Sequence, residues 1–218
     1  MEITSSHITD LASTATWRQA LDAMLISCDL VEDASPVLPV TAALIGLLDE
    51  LRADRDQPAL QRLLEVADQL RTRLGNSQAL RDIAVEVADR LRPIATAPAI
   101  ELAAAAVPWE TPGAAVQALL HVAELADRPV LIATARRAIA GSVSRLVNRL
   151  DQADMQRAAR DLLAAGTPGA AALGLGIVQV AGRSAGWQAP WGSLVRELRQ
   201  HEDADVKAAA LAMFMSPE

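Results

Sequence analysis

Apolar residues recur along this chain at the three- and four-residue spacing of helices that bury one face. Between 57 and 75 the stripe is Leu60, Leu63, Leu64, Ala67, Leu70 and Leu74, and Gly75 follows as a residue suited to end a helix. From Ser77 the stripe is Leu80, Ile83, Ala84, Val87 and Leu91, and Pro93 stops it. Upstream, 10–32 runs through Leu11, Ala15, Leu21, Leu25 and Ile26, and a second segment passes through Leu44, Leu47, Leu48 and Leu51. Downstream come a short Ala-rich segment at 97–107, one after Thr111, then 128–150, 151–165, 168–181 and a closing pair within 191–214. Ser35, Thr111 and Thr167 each stand directly before a proline, the order of an N-cap and a first helical residue. Pro58 and Pro129 sit one place further from Asp56 and Asp127, still in a first turn. The pattern predicts about eleven helices. Only 177–180 reads locally as a strand, and one strand makes no sheet.

The closing pair is the best-formed unit. Its first helix carries Leu194, Val195 and Leu198 on one face. The turn holds His201, Glu202 and Asp203. The second helix carries Val206, Ala209, Ala210 and Phe214. Asp203 is placed to accept from the free N–H groups that open the second helix. This unit resembles a HEAT repeat, whose second helix tends to read V-R-x-x-A after an acidic turn. Val206, Lys207 and Ala210 fit that pattern, Leu80, Arg81 and Ala84 echo it, and Met155 to Ala159 follow it in part. His201 stands where that family usually has its turn aspartate. The sequence TPGAA occurs twice, from Thr111 and from Thr167. The resemblance implies an all-α, right-handed α-solenoid of stacked antiparallel helices, HEAT- or armadillo-like, as a single domain over 1–218. Physics points the same way: short amphipathic helices with short connections bury their stripes on neighbours in sequence.

Composition fits a helical globular chain. Apolar residues are 51%, aromatics only 2%, with no Tyr, one Phe and four Trp. The net charge of −7 disfavours general nucleic-acid binding, which draws its affinity from cations on phosphates. A single cysteine, Cys28, excludes an intrachain disulfide and a multi-cysteine metal site and fits a reducing, cytoplasmic setting. No signal-peptide pattern opens the sequence, and the apolar run 164–182 is broken by glycines and Pro168, so no membrane span is expected.

Charge is unevenly spread. Residues 128–160 hold Arg128, Arg136, Arg137, Arg145, Arg149, Arg157 and Arg160 against Asp151 and Asp154, a local +5. This strip reads either as a site for an acidic protein, phosphate or nucleic acid, through Arg136, Arg137, Arg145, Arg149 and Arg157, or as a solvated face. The first sixty residues hold ten acidic and three basic residues, a local −7, which opens the way to self-association. Trp109, Trp187 and Trp191 lie at helix junctions, where a tryptophan serves as a binding anchor or as a plug with its N–H on a carbonyl. Trp17 reads as core. Phe214 and its Met neighbours put an apolar face at the last helix, suited to a partner. His7, His121 and His201 lack metal-ligand spacing, Gly174, Leu175 and Gly176 lack a phosphate-loop context, and no catalytic set is visible. The expected function is a non-enzymatic protein-interaction scaffold, adaptor or accessory subunit without cofactor or metal. The alternative is a subunit contacting phosphate or nucleic acid through 128–160.

Overall fold

The helices begin where their caps and prolines say they should. A computed structural model describes residues 57–74 and 77–213, and among these residues the chain is helical with no strand. Nine helices answer one for one to the third through eleventh expected: α1 (Gln57–Arg73), α2 (Gln78–Leu91), α3 (Thr96–Ala105), α4 (Pro112–Leu125), α5 (Pro129–Leu146), α6 (Gln152–Ala164), α7 (Pro168–Ser184), α8 (Trp191–Leu198) and α9 (Ala204–Leu211). The two helices expected before Asp56, with Trp17, Cys28 and His7, lie outside the described residues, as does Phe214. The strand-like spot at 177–180 is the middle of α7.

Four N-caps close the first turn with a side-chain oxygen. Ser77 Oγ accepts from Leu80 N–H at 3.3 Å, and Thr167 Oγ1 accepts from Ala170 N–H at 3.2 Å. One Asp151 oxygen accepts from Ala153 and Asp154, and one Asp203 oxygen from Asp205 and Val206. Each such cap is worth about 1 kcal/mol.

The chain divides into two compact units between Ala106 and Val107. In the first, α1, α2 and α3 pack on one another. Val66, Leu70, Leu80, Ile83, Val87, Leu91 and Ile100 are fully buried among them, and Arg71 reaches from α1 to Glu101 of α3 at 3.4 Å. Both partners of that pair are about half exposed, so burial of the aliphatic stripes and not the ion pair holds the unit.

The second unit is organised about α7, which packs against α4, α5, α6, α8 and α9. Its sequence explains why. Leu173, Leu175, Ile177, Val178 and Ala181 are buried and point in different directions around the helix. A helix that is apolar all round is stable only when covered on all sides. A nearest-neighbour stack covers two sides, so the hairpins here wrap one central helix.

Close approach to α7 is made possible by its glycines, each turned to a different neighbour. A Cβ at Gly169 would lie 2.7 Å from the Ala123 carbonyl oxygen of α4. At Gly174 it would lie 2.9 Å from the Ala159 carbonyl oxygen of α6, and at Gly176 it would lie 3.2 Å from Arg136 Cγ of α5. Each glycine costs the helix roughly 0.5–1 kcal/mol against alanine. Fully burying a single Leu or Ile side chain contributes about 1.5–3 kcal/mol, so coverage of α7 outweighs the glycines that permit it.

Gly141 of α5 is the opposite case, because a Cβ there would find nothing within 4 Å. The same substitution should therefore act with opposite signs. Gly141→Ala is expected to stabilise by about 0.5–1 kcal/mol. Gly169→Ala, pressed onto backbone, should destabilise by about 1–3 kcal/mol. Urea unfolding of the two variants checks both signs.

Candidate interaction surface

The tryptophans are structural plugs before they are anything else. Trp109 is 8% exposed, and its Nε1–H donates to Ser142 Oγ of α5 at 3.2 Å. A shallow recess beside it is lined by Pro112, Ala115, Leu150, Asp151, Asp154, Met155 and Ala158. Both carboxylates are already engaged, Asp151 as the α6 cap and Asp154 with Arg157 at 3.0 Å. Trp191 is fully buried, and its Nε1–H donates to Gln152 Oε1 across from α6. Both rings are buried within the second unit.

Trp187 closes the C-terminus of α7. Gly186, at φ +59°, donates its N–H to the Arg183 carbonyl, and Trp187 donates its N–H to the Gly182 carbonyl at 2.8 Å. This is a Schellman closure, with the glycine at the left-handed position. Trp187 itself sits at φ +57°, a backbone region unfavourable for a bulky residue. Its ring lies against Gly182, where a Cβ would fall 2.3 Å from Cζ3. Its carbonyl oxygen abuts Gly192 of α8 just as closely. Trp187 is partly buried and touches both Gly182 of α7 and Gly192 of α8, which makes it a clasp between the two helices.

The C-terminal pair forms as expected around its acidic turn. Asp203 N–H donates to His201 Nδ1 at 3.1 Å. Arg199 donates to the Ala210 and Met213 carbonyls, satisfying the free end of α9. α9 buries Val206 and Ala210 and leaves Leu211 58% exposed. The hydrogen bond from Val206 N–H holds the Asp203 carboxyl below its usual value of 3.8. The Asp205 N–H and the charge of His201 act in the same direction, against an opposing desolvation.

The arginines of 128–160 separate into two groups. Four are engaged within the fold. Arg136 donates to Gln179 of α7 at 2.7 Å, Arg157 pairs with Asp154, Arg160 with Glu197 of α8 at 2.6 Å, and Arg128 with Asp127 at 3.4 Å. Arg136 follows Ile132 by four residues and precedes Ile139 by three, on the packed side of α5. Arg137, Arg145 and Arg149 are exposed, and none has a polar partner among the described residues.

Arg137 and Arg145 lie on one exposed face of α5, and Arg149 is exposed in the turn after it. α5 buries Ala135, Ile139, Ser142 and Val143 against its neighbours. Its opposite face presents Val130, Ala133, Arg137, Gly141, Ser144 and Arg145, all exposed, with Val130 at 77%. Arg137, Gly141 and Arg145 are four residues apart, so a bare backbone notch has a guanidinium one turn, roughly 6 Å, to either side. Val130, Ala133 and Gly141 escape a reading by composition. Their signal lies in the helical period of 130–145, where small residues and arginines alternate on the face away from Ile139.

Among the described residues, no group of three or more His, Cys, Asp or Glu is placed to hold a metal ion, and no helix is long and apolar enough to cross a membrane. Compared with known protein families, curated proteins and solved structures, the chain matches none.

Two outcomes test these assignments. Trp191→Ala is expected to destabilise by roughly 3–5 kcal/mol, the range for emptying a buried aromatic site, in chemical unfolding followed by circular dichroism. The contribution of Asp203 is fully present above its unfolded value near 3.8 and is lost as pH falls through the lower folded value. Asp203→Asn should remove that part of the acid-side loss, so the stability difference between wild type and variant narrows towards low pH.

Proposed function

We propose that this chain is a protein-binding module, an adaptor or accessory subunit of a larger complex, and that it takes its partner on the outward face of α5. The observation that supports this best is the combination of open notch and unpaired cations at Arg137, Gly141 and Arg145. Small residues let a partner backbone approach closely, and arginines with no carboxylate of their own select an acidic surface. An 18-residue helix is about 27 Å long, so its single face offers a few hundred Å². That is below the roughly 800 Å² per partner of a standard stable interface, which favours a transient contact.

The finer architectural reading belongs with this proposal. The capped α8–α9 hairpin supports a divergent HEAT- or armadillo-like origin for the helical pairs, a right-handed solenoid in ancestry whose hairpins in residues 107–213 wrap α7. The single cysteine fits a cytoplasmic setting. The net charge of −7 weighs against general nucleic-acid binding.

The test is capture from lysate of the source cells on wild type and on the double variant Arg137→Glu, Arg145→Glu. A partner retained by wild type and lost from the variant, with unfolding changed by less than about 0.5 kcal/mol, is the expected outcome for exposed sites. Retention by the variant would sink the assignment to α5. Binding of duplex DNA at low salt, lost with the same two charges, would instead favour a nucleic-acid contact.

A further inference from the structure

We infer that the occupant of the α5 face is a second copy of this chain, docking through the acidic residues of its first sixty positions; the inference rests on the protein-binding reading of that face. Two observations carry it, one on each side of the contact.

The first is that α5 has no acid of its own to meet. From 128 to 150 the chain holds five arginines and no Asp or Glu. Among the described residues, the helices that α5 chiefly packs against are α7 and α4. α7 has no acidic residue, and α4 has Glu124 alone, near its C-terminal end. Asp127, just before α5, is taken by Arg128. Among the described residues Arg137, Arg145 and Arg149 have no carboxylate partner, so they project a positive field.

The second is where the chain keeps its anions. The whole sequence has 27 acidic and 20 basic residues, and ten acidic and three basic residues fall in 1–60. That leaves 17 of each sign in 61–218, so the entire negative excess lies in the first sixty residues. The one segment with a large surplus of carboxylates and the one segment with a surplus of guanidinium groups are complementary in sign and similar in size. A second copy supplies the first at the concentration of the protein itself.

Donor segment and acceptor face are different parts of the chain, so the contact is head-to-tail and grows into rings or short chains, not a two-fold dimer. Exposed charges act mainly on association rate and are screened by salt, so the assembly is weak and ionic-strength dependent.

Sedimentation of the full chain at micromolar concentrations, at low and high salt, tests this with two charge reversals. One variant carries Arg137→Glu, Arg145→Glu and Arg149→Glu. The other carries Asp29→Arg, Glu32→Arg and Asp33→Arg, with Asp54→Arg and Asp56→Arg as a replacement pair if the first set fails to fold. Wild type should self-associate at low salt and weaken by about tenfold or more at high salt. Each variant alone should associate far less than wild type, because the first opposes like charges and the second cuts the segment's surplus from −7 to −1, seven acidic against six basic residues. An equimolar mixture should regain association, since the acidic segment of the first variant meets the arginine face of the second. A monomeric wild type at low salt, or a mixture that stays monomeric, overturns the inference. If wild type is monomeric yet the α5 reversal still releases a captured partner, the second copy fails as occupant while the protein-binding reading stands.

Discussion

Everything in the second unit follows from the need to cover α7. A helix with Leu, Ile, Val, Ala and Gly on every side and a single charge, Arg183, at its end cannot face water on any of them. Five other helices meet that need, and glycines decide how near they come. Gly169, Gly174 and Gly176 address α4, α6 and α5 in turn, so the helix acts as a core with three fitted seats. The energetic weight lies in apolar burial. Ion pairs such as Arg160 with Glu197 sit at the periphery, where exposure limits each to about 1 kcal/mol or less.

Coverage of α7 also accounts for what is left open. α5 spends one face on the central helix, with Arg136 lying along Gly176 and ending on Gln179. Ser142 and the contacts with α4 use a second part of α5, and the face that carries Arg137, Gly141 and Arg145 is left exposed. The residues there are small or cationic, and Gly141 lacks any internal reason to be glycine. A position that weakens its own helix and touches nothing is where a requirement from outside the molecule is most easily read.

The individual helices were legible in the sequence because their signals are local. Ser77, Thr167, Asp151 and Asp203 start helices where their side chains meet the next free N–H groups, and Pro112, Pro129 and Pro168 fix the first turns. All five stripe residues of α2 are buried, and Arg81 and Ala88 are buried with them. Arrangement was less legible, because a stripe tells which face is buried and not what buries it. α7 is the instructive element: its lack of a polar side is itself the sign of a central helix. The arginine strip divides for the same reason. The place of Arg136 among Ile132, Ile139 and Val143 could have been read from the period, whereas the pairing of Arg160 with Glu197, 37 residues on, depends on how α6 and α8 meet. Trp191 repeats the lesson, since it heads the stripe Leu194, Val195 and Leu198 that buries it.

The placement of the tryptophans has a spectroscopic consequence. The chain has no tyrosine, and three of its four tryptophans, Trp109, Trp187 and Trp191, stand in residues 107–218, in three different surroundings. Intrinsic fluorescence thus reports chiefly on one unit, with Trp17 the sole emitter of the other, while helical dichroism reports on both. The difference between the two signals during unfolding is a built-in readout of whether the units melt together or apart, available without a label.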